Sequence, residues 1–242
     1  MTSLPTHRLG VLVPSSNTTV EIELRDTLPR AISLHVGRLP LTRIAADSIV
    51  EILRPLDEES RKLASADVDL ILLGATAPSF FNGLGYDREI SARIEAATGK
   101  PATTTSTALL EALRALGATR IALGAAYDDE VNAVAAGFLE SNGFEVVSRV
   151  GLGYVDNLQV GRLGIDSALE VGRQVDRTDA DAVVLACTNW VSMPAIAPLE
   201  AELGKPVIST TQASLWACLR RLGWTRPLHG AGVLLADHLA AA

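Results

Sequence analysis

The sequence carries one unit twice. Arg8-Leu9-Gly10-Val11-Leu12 recurs as Arg120-Ile121-Ala122-Leu123-Gly124, and at the same offset Asp69-Leu70-Ile71-Leu72-Leu73-Gly74-Ala75-Thr76 recurs as Asp181-Ala182-Val183-Val184-Leu185-Ala186-Cys187-Thr188. Each half also closes alike. Gly99-Lys100-Pro101, a Thr-rich stretch and a segment ending Leu113-Arg114-Ala115-Leu116-Gly117 return as Gly204-Lys205-Pro206, Ser-Thr-Thr and Leu219-Arg220-Arg221-Leu222-Gly223. An internal repeat of this length predicts two similar bodies. They are expected over residues 1–117 and 118–223, with the tail 224–242 as an added element packing in part on the first. A chain of 242 residues is long enough for two such lobes, each with a core.

Within each half, short β-rich apolar runs alternate with longer stretches of helical spacing, the pattern of a parallel sheet flanked by helices. The class is α/β: two pseudosymmetric Rossmann-like lobes. Strands are expected at Leu9 to Val13, Ser33 to Gly37, Leu70 to Gly74, Ala102 to Thr104, Arg120 to Gly124, Glu145 to Arg149, Ala182 to Ala186 and Val207 to Ser209. Leu109, Leu110, Leu113 and Leu116 make an apolar helical stripe that Gly117 closes. Pro55 divides the region from Asp47 to Ser65 into two helical pieces, because proline suits a first turn better than a helix interior. Doubly wound sheets bind ligands outside the carboxyl ends of their strands, so two facing lobes predict an active site in the cleft between them.

Charge narrows the partners. Lys plus Arg number 21 against 28 Asp plus Glu, a formal charge of −7, with no basic cluster to neutralise phosphates. Neither nucleic acid nor an acidic membrane surface is expected as a partner. No apolar run reaches the roughly 20 residues a bilayer requires, and the apolar stretch near the start ends in Pro14, unlike a signal peptide. The expectation is a cytoplasmic protein, a monomer or homodimer. Two cysteines and four scattered histidines, without HExxH or HxH spacing, give no metal motif. Gly83-Leu84-Gly85 and Gly151-Leu152-Gly153 lack the third glycine of a dinucleotide fingerprint, so no cofactor is expected.

The repeat brings four turns to the cleft. Pro14-Ser15-Ser16-Asn17-Thr18-Thr19 and Ala126-Tyr127-Asp128-Asp129 follow the first strands of the halves; Ala75-Thr76-Ala77-Pro78-Ser79 and Cys187-Thr188-Asn189-Trp190 follow the third. Hydroxyls, amides and backbone N–H groups at strand ends can hold a carboxylate or a developing enolate without a cation. The same residue types also cap helices, but four repeat-related turns favour a binding cleft. Cys187, at a strand's end, can donate a proton or act as a nucleophile. Cys218 instead lies among Leu215, Leu219 and Leu222, where a thiol serves as packing. Tyr127, repeat-related to Ser15, can donate its hydroxyl to an oxyanion, and Asn157 in Gly151-Leu152-Gly153-Tyr154-Val155-Asp156-Asn157 offers a loop amide.

These motifs resemble the aspartate/glutamate racemase superfamily, in the branch containing arylmalonate decarboxylases and maleate cis-trans isomerases. The carriers are Val13-Pro14-Ser15-Ser16-Asn17-Thr18-Thr19, Ala97-Thr98-Gly99-Lys100-Pro101 with Thr104-Thr105-Ser106-Thr107-Ala108, Ala126-Tyr127-Asp128-Asp129-Glu130-Val131-Asn132, Cys187-Thr188-Asn189-Trp190, and Gly204-Lys205-Pro206-Val207 with Gln212-Ala213-Ser214-Leu215-Trp216. Superfamily racemases have a cysteine at both repeat-related positions, and the isomerases use the first as nucleophile. Here the first position is Ala75. Loss of the first cysteine with retention of the second resembles the arylmalonate decarboxylases. In those enzymes one carboxylate of a malonate leaves as CO2 from an apolar pocket, and the remaining thiol protonates the enediolate.

The resemblance implies a cofactor-independent decarboxylase of a malonate-type dicarboxylic acid. Cys187 would be the proton donor, and Thr76 and Tyr127, with the backbone N–H groups of Ala77 and Thr188, would hold the enediolate. Two departures point the other way. Ala77 stands where the decarboxylases have a hydroxyl residue, their N-terminal loop lacks the Ser15-Ser16-Asn17 present here, and Asn17 and Asn157 resemble the isomerases' carboxylate-binding amides. An isomerase, racemase or epimerase of a small dicarboxylate or amino acid is the alternative, followed by a small-acid binding protein without chemistry.

Overall fold

The computed structural model describes residues 5–240. The first half runs β1 (His7–Pro14), α1 (Val20–Thr27), β2 (Ile32–Leu39), α2 (Ala46–Glu51), α3 (Leu56–Ala64), β3 (Leu70–Leu73), α4 (Thr76–Phe80), α5 (Tyr86–Thr98), β4 (Ala102–Thr104) and α6 (Thr105–Ala115). The second runs β5 (Arg120–Tyr127), α7 (Asp129–Ser141), β6 (Glu145–Tyr154), α8 (Asn157–Val160), α9 (Ile165–Val175), β7 (Ala182–Ala186), α10 (Met193–Leu203), β8 (Val207–Ser209) and α11 (Thr210–Arg221); α12 (Val233–Asp237) follows.

Two four-stranded sheets result, ordered β2-β1-β3-β4 and β6-β5-β7-β8, with every pairing parallel. The identical order is the repeat seen in three dimensions. The central strands β3 and β7 are buried along their whole length, as the unbroken runs Leu70–Leu73 and Ala182–Ala186 require. In β1 the pleat sorts side chains: Leu9, Val11 and Val13 join a core that runs into the second lobe, whereas Leu12 packs with Leu56, Leu63, Ile90 and Ile94 beneath α3 and α5. Helix starts are capped as the repeat implies. Thr104 accepts from the N–H of Thr107 and Ser209 from that of Gln212. Pro55 directly precedes α3, separating it from α2.

The lobes meet along α6 and α11. Ser214 Oγ donates to Thr105 Oγ1 at 3.2 Å, and Arg221 binds both oxygens of Glu111 at 2.9 and 2.7 Å. The hydrogen bonds of the tail run to the second lobe: the N–H of Val233 donates to Glu200 at 3.0 Å, Gln212 Nε2 to the carbonyl of Ala231 at 2.6 Å and Trp216 Nε1 to that of His238 at 2.8 Å. The Glu200 carboxylate draws the first N–H of α12 onto α10, and Gly230 and Ala231 line a cavity shared with α1. Residues 1–4 and 241–242 of the expected spans lie outside the described residues. Among those described, no helix is long and apolar enough to cross a membrane.

Candidate active site

The turns at the carboxyl ends of β1, β3, β5 and β7 converge on one small cavity of about 20 Å³, room for about one water molecule. One side is polar, formed by Asn17, Thr76, Tyr127, Asn157, Cys187, Thr188 and Asn189. The other is apolar, with Pro14, Leu41, Ile44, Ile49 and Pro78. Among the described residues no lysine, arginine or histidine lines it, so the donors it offers an anion are neutral. A larger cavity of about 380 Å³, lined by α1 and the start of α10, includes none of Thr76, Tyr127 or Cys187.

Cys187 directly follows β7 and is 4% exposed. Its N–H donates to Thr210 Oγ1 at 3.2 Å, at the first residue of α11. Burial raises the thiol's pKa to about 11; the backbone N–H of Asn189, the Tyr127 hydroxyl and the N–H of Trp190 oppose the rise. At neutral pH Cys187 is therefore a thiol, a group with a proton to give. Tyr127 ends β5, two residues beyond the sheet's regular register with β6, and is 1% exposed. Burial, and then the neighbouring Cys187, push its hydroxyl well above the usual range, while Thr76 acts in the opposite sense. It too keeps its proton and acts as a donor. Thr76 Oγ1 donates to Thr210 Oγ1 at 3.2 Å, so Thr210 ties the two strand ends together.

Ala75 and Cys187 both line the cavity from repeat-related strand ends. Ala77, the second residue of α4, lines it as well, and its N–H has no acceptor within its own helix. Thr188 Oγ1 donates to the carbonyl of Gly74 at 3.1 Å and accepts from Asn17 Nδ2 at 3.3 Å. The Asn17 oxygen is committed to the N–H groups of Thr19 and Val20, both at 3.0 Å, which fixes its amide to point at Thr188. Asn157 Nδ2 donates to Ser16 Oγ at 2.8 Å, and its carbonyl accepts from Asn189 Nδ2 at 2.6 Å.

Ser15 departs from the expected substrate-binding position. It is exposed and absent from the cavity wall; its hydroxyl donates to the carbonyl of Leu41 at 3.2 Å and accepts from the same residue's N–H at 3.1 Å. The residue is spent on backbone because β1 extends through Pro14, which turns Ser15 outward onto the strand end of β2. Ser16 does bear on the site, through Asn157 and the Leu41 carbonyl.

Several site residues gave little sequence signal. Leu41, Ile44 and Ile49 belong to a segment with neither period nor counterpart in the other half, and they reach the cavity only through tertiary contacts. Thr210 was more visible, since the Ser-Thr-Thr that follows Gly204-Lys205-Pro206 repeats the Thr-rich stretch before α6.

Comparison with known proteins bears on the same residues. The chain is 32% identical to a maleate isomerase of Pseudomonas putida over 95% of its length and 97% of the relative's. It is 28% identical to the arylmalonate decarboxylase of Bordetella bronchiseptica over 92% and 93%. A Nocardia farcinica maleate cis-trans isomerase, solved with one cysteine replaced by serine and a covalently bound succinylcysteine intermediate, superposes with a TM-score of 0.92 at 27% identity, covering 96% of this chain and 98% of that one. The arylmalonate decarboxylase family model matches residues 9–235, and the chain belongs to that family of enzymes.

Proposed function

We propose that the protein is a cofactor-independent decarboxylase of a malonate-type dicarboxylic acid, with Cys187 as proton donor. The observation that carries this reading is the pairing across the cavity: a protonated thiol at Cys187 and a methyl group at Ala75. An enzyme that adds a thiolate to a double bond needs a nucleophilic cysteine, and the Nocardia farcinica enzyme with one cysteine replaced by serine carries a succinylcysteine. Ala75 cannot form one. One thiol holding its proton suits a reaction that needs one proton delivered to one face.

The substrate's two carboxylates have unlike surroundings. One lies against Leu41, Ile44 and Ile49, where a charge is poorly solvated. Its C–C bond breaks, CO2 leaves, and the electron pair delocalises into the remaining carboxylate as an enediolate. Thr76, Tyr127 and the N–H groups of Ala77 and Thr188 hold that enediolate, each donor lowering the barrier by up to about 3 kcal/mol. Cys187 then transfers its proton to the α-carbon, and the thiolate left behind recovers a proton from water.

A second reading, isomerisation of a small dicarboxylate, draws on the amides of Asn17 and Asn157 in the cavity wall and on the identity to maleate isomerases. Proton NMR in D2O separates the two. Incubation with a 2,2-disubstituted malonate is expected to give a monoacid with one α-deuterium, and Cys187→Ala to give none. Fumarate from maleate, with the malonate untouched, would overturn the decarboxylase reading.

A further inference from the structure

We propose that Glu23 is a positioning residue for Cys187: from helix α1 of the first lobe, its buried carboxylate fixes the turn that carries the thiol and sets the charge the thiol faces. Glu23 Oε1 accepts from the N–H of Ser192 and of Met193, each at 2.9 Å, where the turn beginning at Cys187 runs into α10. One helical turn earlier the same lobe grips the middle of that turn. The N–H of Thr18 donates to Asn189 Oδ1 at 2.8 Å, and Thr19 Oγ1 donates to the carbonyl of Asn189 at 2.9 Å. The thiol's turn is thus held in place by the opposite lobe.

A carboxylate is more than the two N–H groups require. One carbonyl oxygen, such as glutamine supplies, would accept both. Glu23 is 7% exposed, and its second oxygen is buried beside Thr211 of α11 without a formed hydrogen bond. Burying a charge with an oxygen unpartnered is costly, so a residue kept there for backbone capping alone would be better served by an amide. What the amide lacks is the negative charge. The groups that bear on the Cys187 thiol by charge or hydrogen bonding are Tyr127 from β5, the N–H groups of Asn189 and Trp190, and Glu23. Glu23 is the acid among them. Its charge opposes loss of the thiol proton, whichever reaction the site carries out. Burial raises the acid's own pKa, while the N–H groups of Met193 and Ser192 and the Thr211 hydroxyl oppose the rise and favour the anion.

Carbon-13 NMR of protein labelled at cysteine Cβ reads the ionisation of Cys187 directly, with Cys218 as an internal reference. Glu23→Gln keeps the acceptor and removes the charge. The Cys187 midpoint is expected to move to lower pH by about half a unit or more, with Cys218 unmoved and Glu23→Asp keeping its midpoint above that of the glutamine variant. A midpoint in Glu23→Gln equal to wild type overturns the proposal. A measurement on the wild type guards against a variant that does not fold: the amides of Ser192 and Met193 are expected to exchange with D2O as slowly as those of the β7 core. Exchange at the rate of an open loop would also overturn it.

Discussion

The N–H of Ile44 donates to the carbonyl of Val155 at 2.7 Å, joining the segment after β2 to the segment after β6. Beside it the N–H of Asn157 donates to the carbonyl of Thr42 at 3.1 Å, and Arg43 and Asp156 pair in an antiparallel bridge. The segments after β2 and β6 therefore meet as a short roof over the cavity. With about 20 Å³ beneath it, a diacid of the proposed kind would need the roof to move. Hydrogen exchange of the Ile44 and Asn157 amides is expected to slow when a diacid that cannot be decarboxylated binds. Ile44→Pro, which removes the donor, is expected to raise KM by about fivefold, the weight of one lost hydrogen bond of about 1 kcal/mol. Unchanged exchange with ligand bound would mean that the substrate enters elsewhere.

In the proposed reaction Tyr127→Phe would remove one donor to the enediolate while keeping the ring packed against Phe80, 6.3 Å between centroids. The loss falls on the transition state, so kcat is expected to drop by about 100-fold with KM little changed. Steady-state kinetics check this. A loss confined to KM would place Tyr127 on the ground-state carboxylate instead.

Protonation of Cys187 gives the reaction a definite pH dependence. A thiol that donates a proton works below its pKa, here raised by burial to about 11, so kcat is expected to stay level through neutral pH and fall only as pH approaches about 11. A thiolate nucleophile would give the opposite slope, with rate rising over the same range. Stability follows the same group. Because the folded thiol holds its proton more tightly than the unfolded one, the folded state binds more protons between the ordinary thiol value of 9.0 and about 11, and stability declines as pH rises through that window. Cys218, raised by burial to about 12, adds to the decline. Urea titrations at pH 8 and pH 10.5 measure it.

How far the sequence led depends on the kind of signal each residue leaves. Val183 and Val184 sit in an unbroken apolar run, which became β7 with the expected bounds, and the short β4 and β8 after Gly-Lys-Pro also kept theirs. Cys187 stood out in the sequence because Ala75 marks the same place in the other half, and both line the cavity. Tyr127 stood out likewise, although the strand beneath it runs three residues past its expected end at Gly124. Ile44 and Ile49 had no such partner. Their contribution comes from a connection whose path is fixed by Ser15 and Ser16 bonding to Leu41, which no periodicity encodes. Ser15 was misplaced for a related reason: a hydroxyl at a strand end can turn to the ligand or to the neighbouring backbone, and only the register of β1 on β2 decides.

Ala75→Cys tests the pseudosymmetry itself. A thiol at 75 would face the substrate carbon from the side opposite Cys187, so one thiolate could remove the α-proton of the monoacid and the other thiol replace it. The variant is expected to exchange the α-hydrogen of a chiral 2-aryl acid for deuterium and to racemise it slowly, whereas wild type does neither. Chiral chromatography and proton NMR follow both. Normal decarboxylation without exchange would show that residue 75 does not stand opposite Cys187 about the reacting carbon.

Gly161 shows how tightly the two lobes are fitted beside the site. A Cβ built on it would lie 2.3 Å from Thr18 Oγ1 and 3.2 Å from both side-chain polar atoms of Asn189. Thr18 and Asn189 are themselves bonded across the lobes through the Thr18 N–H at 2.8 Å. A methyl group at 161 must therefore displace the first lobe's grip on the Cys187 turn, since neither neighbour is the end of a long flexible chain. Overpacking of this kind costs about 1–3 kcal/mol, so Gly161→Ala is expected to lower the thermal midpoint by several degrees. It is also expected to reduce kcat more than the stability loss alone would, because the displaced Asn189 N–H is one of the donors to the Cys187 sulfur. Calorimetry together with kinetics well below the melting temperature distinguishes the two effects. A destabilised variant with wild-type kcat would mean that the grip of Thr18 on Asn189 supports the fold and not the thiol.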